Sequence, residues 1–258
     1  MNEKIDYSKN YKRTIFTWSL YDFANQPYPT IIITFIYSNF FTKTLAADYP
    51  NGDVMWLFAI SICAIIIAIL SPFMGAIADR SGYRKTYLIF CTWICVFSTL
   101  FLYFPMPGQI FFALILVIIS NAAFEMGQVF CNSYLPDIAP KEKIGRISGY
   151  GWSLGYFGGL AALAVCYIVF YASPTPTNPI TGNLLNTETF EHIRAMPIFI
   201  AIWFALFSVP TFIYLNDRKV DKTKKASIKK SYEELSKTFK EIKKYKNIVR
   251  ILNCKNAL

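Results

Sequence analysis

Gly75-Ala76-Ile77-Ala78-Asp79-Arg80-Ser81-Gly82-Tyr83-Arg84-Lys85 lies between two long apolar runs, one ending near Ala78 and the next starting near Thr86. A glycine, an aspartate four residues on, then Arg80, Gly82 and the Arg84-Lys85 pair fill a link of only a few residues. Gly75 lets a neighbouring helix approach closely, and Asp79 is able to pair across an interface. Gly82 turns the chain, because glycine reaches backbone angles that other residues avoid. Arg80, Arg84 and Lys85 hold such a link on the positive, cytoplasmic side of a membrane. An ordinary basic hairpin between two membrane helices needs the positive charge, but not this spacing of glycine and aspartate.

Outward from this link the whole chain follows the same logic. Hydrophobic residues make up 54% of its 258 residues and charged residues only 16%, which is outside the pattern of a soluble domain. Six apolar stretches emerge, roughly 14–42, 54–78, 86–104, 109–131, 147–171 and 195–215. Each is near or above the twenty or so residues that span a bilayer as a helix. None of the 26 Lys and Arg residues falls inside them. Summed over alternate sides of six spans, these cations divide 24 against 2, which places both termini in the cytoplasm of a multi-pass protein of the cell (inner) membrane. The net charge of +10 is thus a record of topology, and nucleic acid is not an expected partner. The first span is too long for a signal-peptide core, contains Asp22 and reads as a retained anchor. The cysteines show no metal or redox spacing, and one histidine, His192, makes no relay. No cofactor or metal is expected.

The expected fold is all-α: a polytopic membrane bundle of six transmembrane helices over 14–215, a cytoplasmic tail at 1–13 and a basic connector at 216–258. Within the connector, apolar residues at Tyr232, Leu235, Phe239, Ile242, Val249 and Leu252 fall on one stripe of a lysine-coated helix, suited to the inner membrane surface.

Of 16 acidic residues only Asp22 and Glu125 lie well inside a span, where each charge costs about 3 kcal/mol on insertion scales. Trp18, Asp22, Asn25 and Pro29 share one helical face, and Pro27 and Pro29 should kink or unwind the helix beside them. Broken membrane helices are tolerated where they line protein or water, as at transporter binding sites. Asp22 is therefore a candidate for a substrate or ion pathway, the alternative being an aspartate bonded to its own backbone. Asn121, Glu125, Gln128 and Asn132 form a second polar stripe, spaced by four, three and four. Glu125 and Asp22 come out at similar depths, roughly 9 Å and 12 Å from the inner end. For Asn121 and Gln128 the competing reading is hydrogen-bond glue between helices. Gly151, Gly155 and Gly159, four apart in the fifth span, form a close-packing face and no phosphate loop.

As G-x-x-x-D-R-x-G-x-R-K, the opening stretch resembles the cytoplasmic loop motif between the second and third helices of major facilitator transporters. Trp18–Asn25, Asn132–Asp137 and Gly149–Gly159 look like the branch of that superfamily containing the autophagy-linked vacuolar amino-acid effluxers and their bacterial relatives. This resemblance implies a secondary active transporter working by alternating access on a small-molecule substrate, amino acids being that branch's substrate class, and no enzyme. It also implies twelve spans, so six spans and a connector read as an N-terminal half, from a split or truncated gene. That half would meet a complementary C-terminal six-helix half through the Gly75–Asp79 motif and the glycine face. The alternative is a non-transporting membrane fragment or partner subunit. The Gln26-Pro27-Tyr28-Pro29 stretch departs from the branch, whose members carry small residues there.

Overall fold

The computed structural model describes residues 9–173, 176–177 and 182–217, with the side chains at 9–10 and 76–81 outside that description. Six long helices carry the fold: α1 (Lys9–Asn25), α2 (Gly52–Ser81), α3 (Arg84–Phe101), α4 (Ile110–Asn132), α5 (Ile144–Cys166) and α6 (Met196–Tyr214). Extended pairing among the described residues is limited to a single bridge between Thr177 and Leu184, so the chain is all-helical. The predicted amphipathic helix at 231–252 lies outside the described residues.

Four stretches are long and apolar enough to cross a membrane: Gly52–Gly75, Ile110–Ile138, Lys141–Tyr171 and Glu191–Tyr214. The other two of the six predicted spans are helical but different in kind. α3 is 18 residues long and opens on Arg84 and Lys85. α1 begins at Lys9, inside the predicted tail, and its regular winding stops at Asn25.

The break in α1 has a direct cause. Pro27 and Pro29 lack the N–H groups that would bond back four residues, so Phe23 and Asn25 lose their ordinary helical partners. The chain continues as a widened π-helical stretch, Pro29–Phe35, then through Tyr37–Phe40 to a second one at Phe41–Leu45. The freed Phe23 carbonyl accepts a hydrogen bond from the Trp203 indole of α6 at 3.2 Å. It also faces α5, where a β-carbon on Gly158 would come within 2.5 Å of it.

Neighbouring helices form one series: α2 packs on α4, α4 on α3, α3 on α6, α6 on α1, and α1 on α5. Exchanging α1–α3 for α4–α6 leaves that series unchanged, the arrangement of two three-helix repeats. α1 and α5 run parallel, since Gly151, Gly155 and Gly159 sit beside Asp22, Gln26 and Thr30 in the same order. α6 runs antiparallel to α1: Arg13 stacks on the Tyr214 ring, and Thr211 donates to the Thr17 carbonyl at 2.7 Å. Large side chains seal the interior, among them Trp18, Tyr21, Tyr28, Phe130 and Phe204, with Tyr21 and Tyr28 hydroxyls bonded to Thr92 and Ser120. The outside is apolar too. Leu57, Phe58, Phe111 and Phe157 are each more than 60% exposed, the surface of a protein solvated by lipid.

The link quoted first joins α2 to α3 through Gly82, whose φ of 68° is the left-handed value that glycine accepts. Arg84 then turns inward. It is buried, donates to the Ser133 carbonyl at 2.8 Å and pairs with Asp137 at 2.9 Å, stacking over Tyr134. Asp217, just past α6, accepts from the Lys85 backbone N–H at 3.2 Å and from the Tyr134 hydroxyl. One end of the bundle thus gathers the α2–α3 link, the α4–α5 turn and the exit from α6. At the other end Arg194 donates to the Tyr103 carbonyl at 2.8 Å, and Tyr103 donates to Glu191 at 2.8 Å.

Candidate functional site

Where α1 breaks, a cavity of about 260 Å³ opens between three helices. Asp22 and Gln26 supply one wall, Phe124, Glu125, Gln128 and Asn132 of α4 the second, and Trp152 of α5 the third. The local sequence accounts for each wall. Spacings of three and four turn Glu125, Gln128 and Asn132 of α4 to one face. Gly151 leaves room for the acid of α1, because a β-carbon there would lie 2.6 Å from Asp22 Oδ2 and 3.0 Å from the Trp18 ring. Trp18 in turn donates its indole N–H to the Cys131 carbonyl at 2.9 Å, which fixes α1 against the end of α4.

Asp22 is only 8% exposed and Asn25 is fully buried. The side-chain amides of Gln128 and Asn25 flank the Asp22 carboxyl group. Gln128 also donates to Asn25 Oδ1 at 3.1 Å, leaving Asn25 Nδ2 buried without a partner at full hydrogen-bond geometry. Glu125 is half-buried on the opposite wall. Among the described residues no lysine, arginine or histidine lines the cavity. Trp152 is 59% exposed, so its wall is an open one. Among the described residues no three His, Cys, Asp or Glu side chains are grouped to hold a metal ion. The arrangement suits reversible binding of a small polar solute.

Four of the five pathway candidates thus meet here, Asp22, Glu125 and Gln128 on the walls and Asn25 behind them. Asn121 does not. Its amide donates to Cys63 Sγ of α2 at 3.2 Å, so it joins α4 to α2 away from the cavity. Gln26, Phe124 and Trp152 escaped the sequence reading, although Gln26 stood in the stretch that departs from the branch pattern. Asn132, the last member of the polar stripe, carried the clearer signal.

The glycine face carries a correction. Gly151, Gly155 and Gly159 were expected to meet a second half, yet they are filled by Asp22, Gln26 and Thr30 of α1 in this same chain, with contacts of 2.6–2.8 Å for an added β-carbon. Gly75 behaves oppositely: a β-carbon there would meet nothing within 4 Å among the described residues. Asp79 and Arg80 stand on the last turn of α2, outside the described side chains.

Comparison with known proteins agrees with this architecture. Over 239 residues the chain is 26% identical to the uncharacterized MFS-type transporter YxiO of Bacillus subtilis, covering 92% of this chain and 54% of that protein. Autophagy-related protein 22 of Yarrowia lipolytica is 30% identical over 48% of the chain and 20% of its own length. The inner membrane metabolite transport protein YhjE of Escherichia coli is 28% identical over 55% of the chain and 32% of its own length. The chain therefore spans about half the length of the Bacillus relative and less of the other two. No solved structure matches it. Residues 51–253, most of the chain and all of α2 to α6, match the family described as vacuole effluxer Atg22 like, and with its membrane-spanning helices the chain is a multi-pass membrane protein belonging to that family.

Proposed function

We propose that this chain forms the N-terminal six-helix half of a secondary active transporter that moves a small solute, with amino acids as the first class to test, by alternating access. α1 and α3 join the four long apolar helices as spans, and both termini face the cytoplasm. The observation that carries this reading is the polar cavity at the break in α1, walled by two acids and open at Trp152, with Asp22 about 13 Å along α1 from Arg13 and Glu125 about 10 Å along α4 from Asn132. A binding site beside a broken helix near the membrane midplane is the hallmark of rocking-bundle transporters. A complementary half, continuous with this chain or separate, would close the Trp152 side and lie against Gly75.

The test is flux. Reconstituted with a co-expressed second half, the chain should exchange labelled amino acids, and Asp22→Asn or Glu125→Gln should lower the rate at least tenfold with membrane levels unchanged. The chain without that half should give no flux. Robust flux from the chain by itself, or full flux in both variants, overturns the proposal.

A further inference from the structure

We infer that the cavity between α1 and α4 binds the positively charged ammonium group of its solute, so that this half reads cationic charge and leaves any carboxylate of the solute to groups elsewhere. The inference rests on the transport reading and adds to it the chemistry of recognition.

Three independent features converge. The first is uncompensated charge: Asp22 and Glu125 line one cavity, and among the described residues no basic side chain lines it with them. Such a pair in a low-dielectric setting takes up a cation or a proton. The second is the direction of the hydrogen bonds. Gln128 spends its N–H groups on Asn25 Oδ1 and toward the Asp22 carboxyl, so its own oxygen remains an acceptor. Asn25 is wholly buried behind it and does not line the cavity, so its Nδ2 offers the solute no donor. The amides of Gln26 and Asn132 can donate or accept, but the charged groups of the described lining, Asp22 and Glu125, are acceptors when ionised, so the charge that they ask for is a donor's. The third is the character of the remaining walls. Phe124 and Trp152 present aromatic rings, which attract an ammonium group and shelter the carbon chain attached to it. A hydrated metal ion would gain little from those rings. The volume of about 260 Å³ suits an amine of metabolite size and excludes large ligands.

The experiment compares three molecules of nearly one shape: n-butylammonium, butyramide and butyrate. The purified full chain in lipid nanodiscs is titrated with each, following tryptophan emission and heat, at constant ionic strength set in turn by NaCl, KCl and choline chloride. Saturable binding of n-butylammonium, at least tenfold tighter than butyramide and with no binding of butyrate, is expected. Glu125→Gln should weaken it at least tenfold, and Trp152→Leu several-fold. Asp22→Asn should weaken it further, but that side chain also packs in the α1–α5 seam, so the half-buried Glu125 carries the decisive test. Equal binding of butyramide, absence of saturable ammonium binding, or full displacement by equimolar Na⁺ or K⁺ overturns the inference. The flux assay separates this result from the transport reading. Ammonium binding without flux in the two-half assembly keeps the inference and sinks transport. Flux of a solute without a cationic group, unaffected by Glu125→Gln, does the reverse.

Discussion

Two glycine surfaces of this molecule look alike in the sequence and behave as opposites. Along α5, Gly151, Gly155, Gly158 and Gly159 let α1 approach until an added β-carbon would collide with it at every step. On α2, a β-carbon added at Gly75 would meet nothing within 4 Å among the described residues. Small residues in membrane helices permit close packing without naming the partner. The α5 surface is consumed in building the cavity wall, and the α2 surface remains on offer. A contact that shapes the site and a contact that awaits another body are thus distinguishable only when the whole bundle is in view.

Substitutions on each surface test this difference. Gly158→Val should have the largest effect: its β-carbon would strike the Phe23 backbone carbonyl at 2.5 Å, and a backbone atom yields less readily than the end of a side chain. Loss of folded protein in detergent extracts is expected, and a normal melting curve would mean that the seam is looser than described. Arg84→Ala comes next. It removes the guanidinium that pairs with Asp137, in a pair whose side chains are 6% and 16% exposed, at a cost of about 3 kcal/mol. Thermal unfolding of the purified chain should show it as a Tm several degrees lower, and Asp137→Asn made on top of Arg84→Ala should recover part of the loss.

Gly155→Ala is smaller. Its β-carbon meets Gln26 Cγ at 2.8 Å and Asp22 Cβ at 3.2 Å, where a side chain is able to yield, so about 1 kcal/mol is expected. The shift should also narrow the cavity, which makes solute affinity a second readout. Gly75→Ala should have the smallest effect and the opposite sign, raising the stability of the chain alone by about 0.5 kcal/mol through helix propensity. If Gly75→Ala instead destabilises the isolated chain, α2 has a partner inside it and the contrast collapses.

Features set by local physics are legible in the sequence. Apolar run lengths located the helices, and Asp22 and Glu125 announced themselves because charge in an apolar span is expensive. Pro27 and Pro29 placed the break, since a missing N–H is a property of the residue itself. What stayed hidden depended on distant partners. Asn121 and Gln128 sit seven apart on one helix, yet only the neighbours decide that the first bonds to Cys63 and the second to Asn25. The pairing of Arg84 with Asp137 spans 53 residues and left no local trace. Trp152, read as part of a branch signature, gave no sign that it forms a wall.

One bond described above makes the break in α1 observable. The Trp203 indole holds the carbonyl that Pro27 releases, so its N–H reports on that carbonyl alone. Any motion that straightens or swings the outer part of α1 must stretch this bond, shifting the indole nitrogen resonance and the hydrogen–deuterium exchange rate of that one proton. The molecule thus carries a native spectroscopic label at its most bendable point, one that needs no chemistry to attach and reads out the helix without touching the cavity.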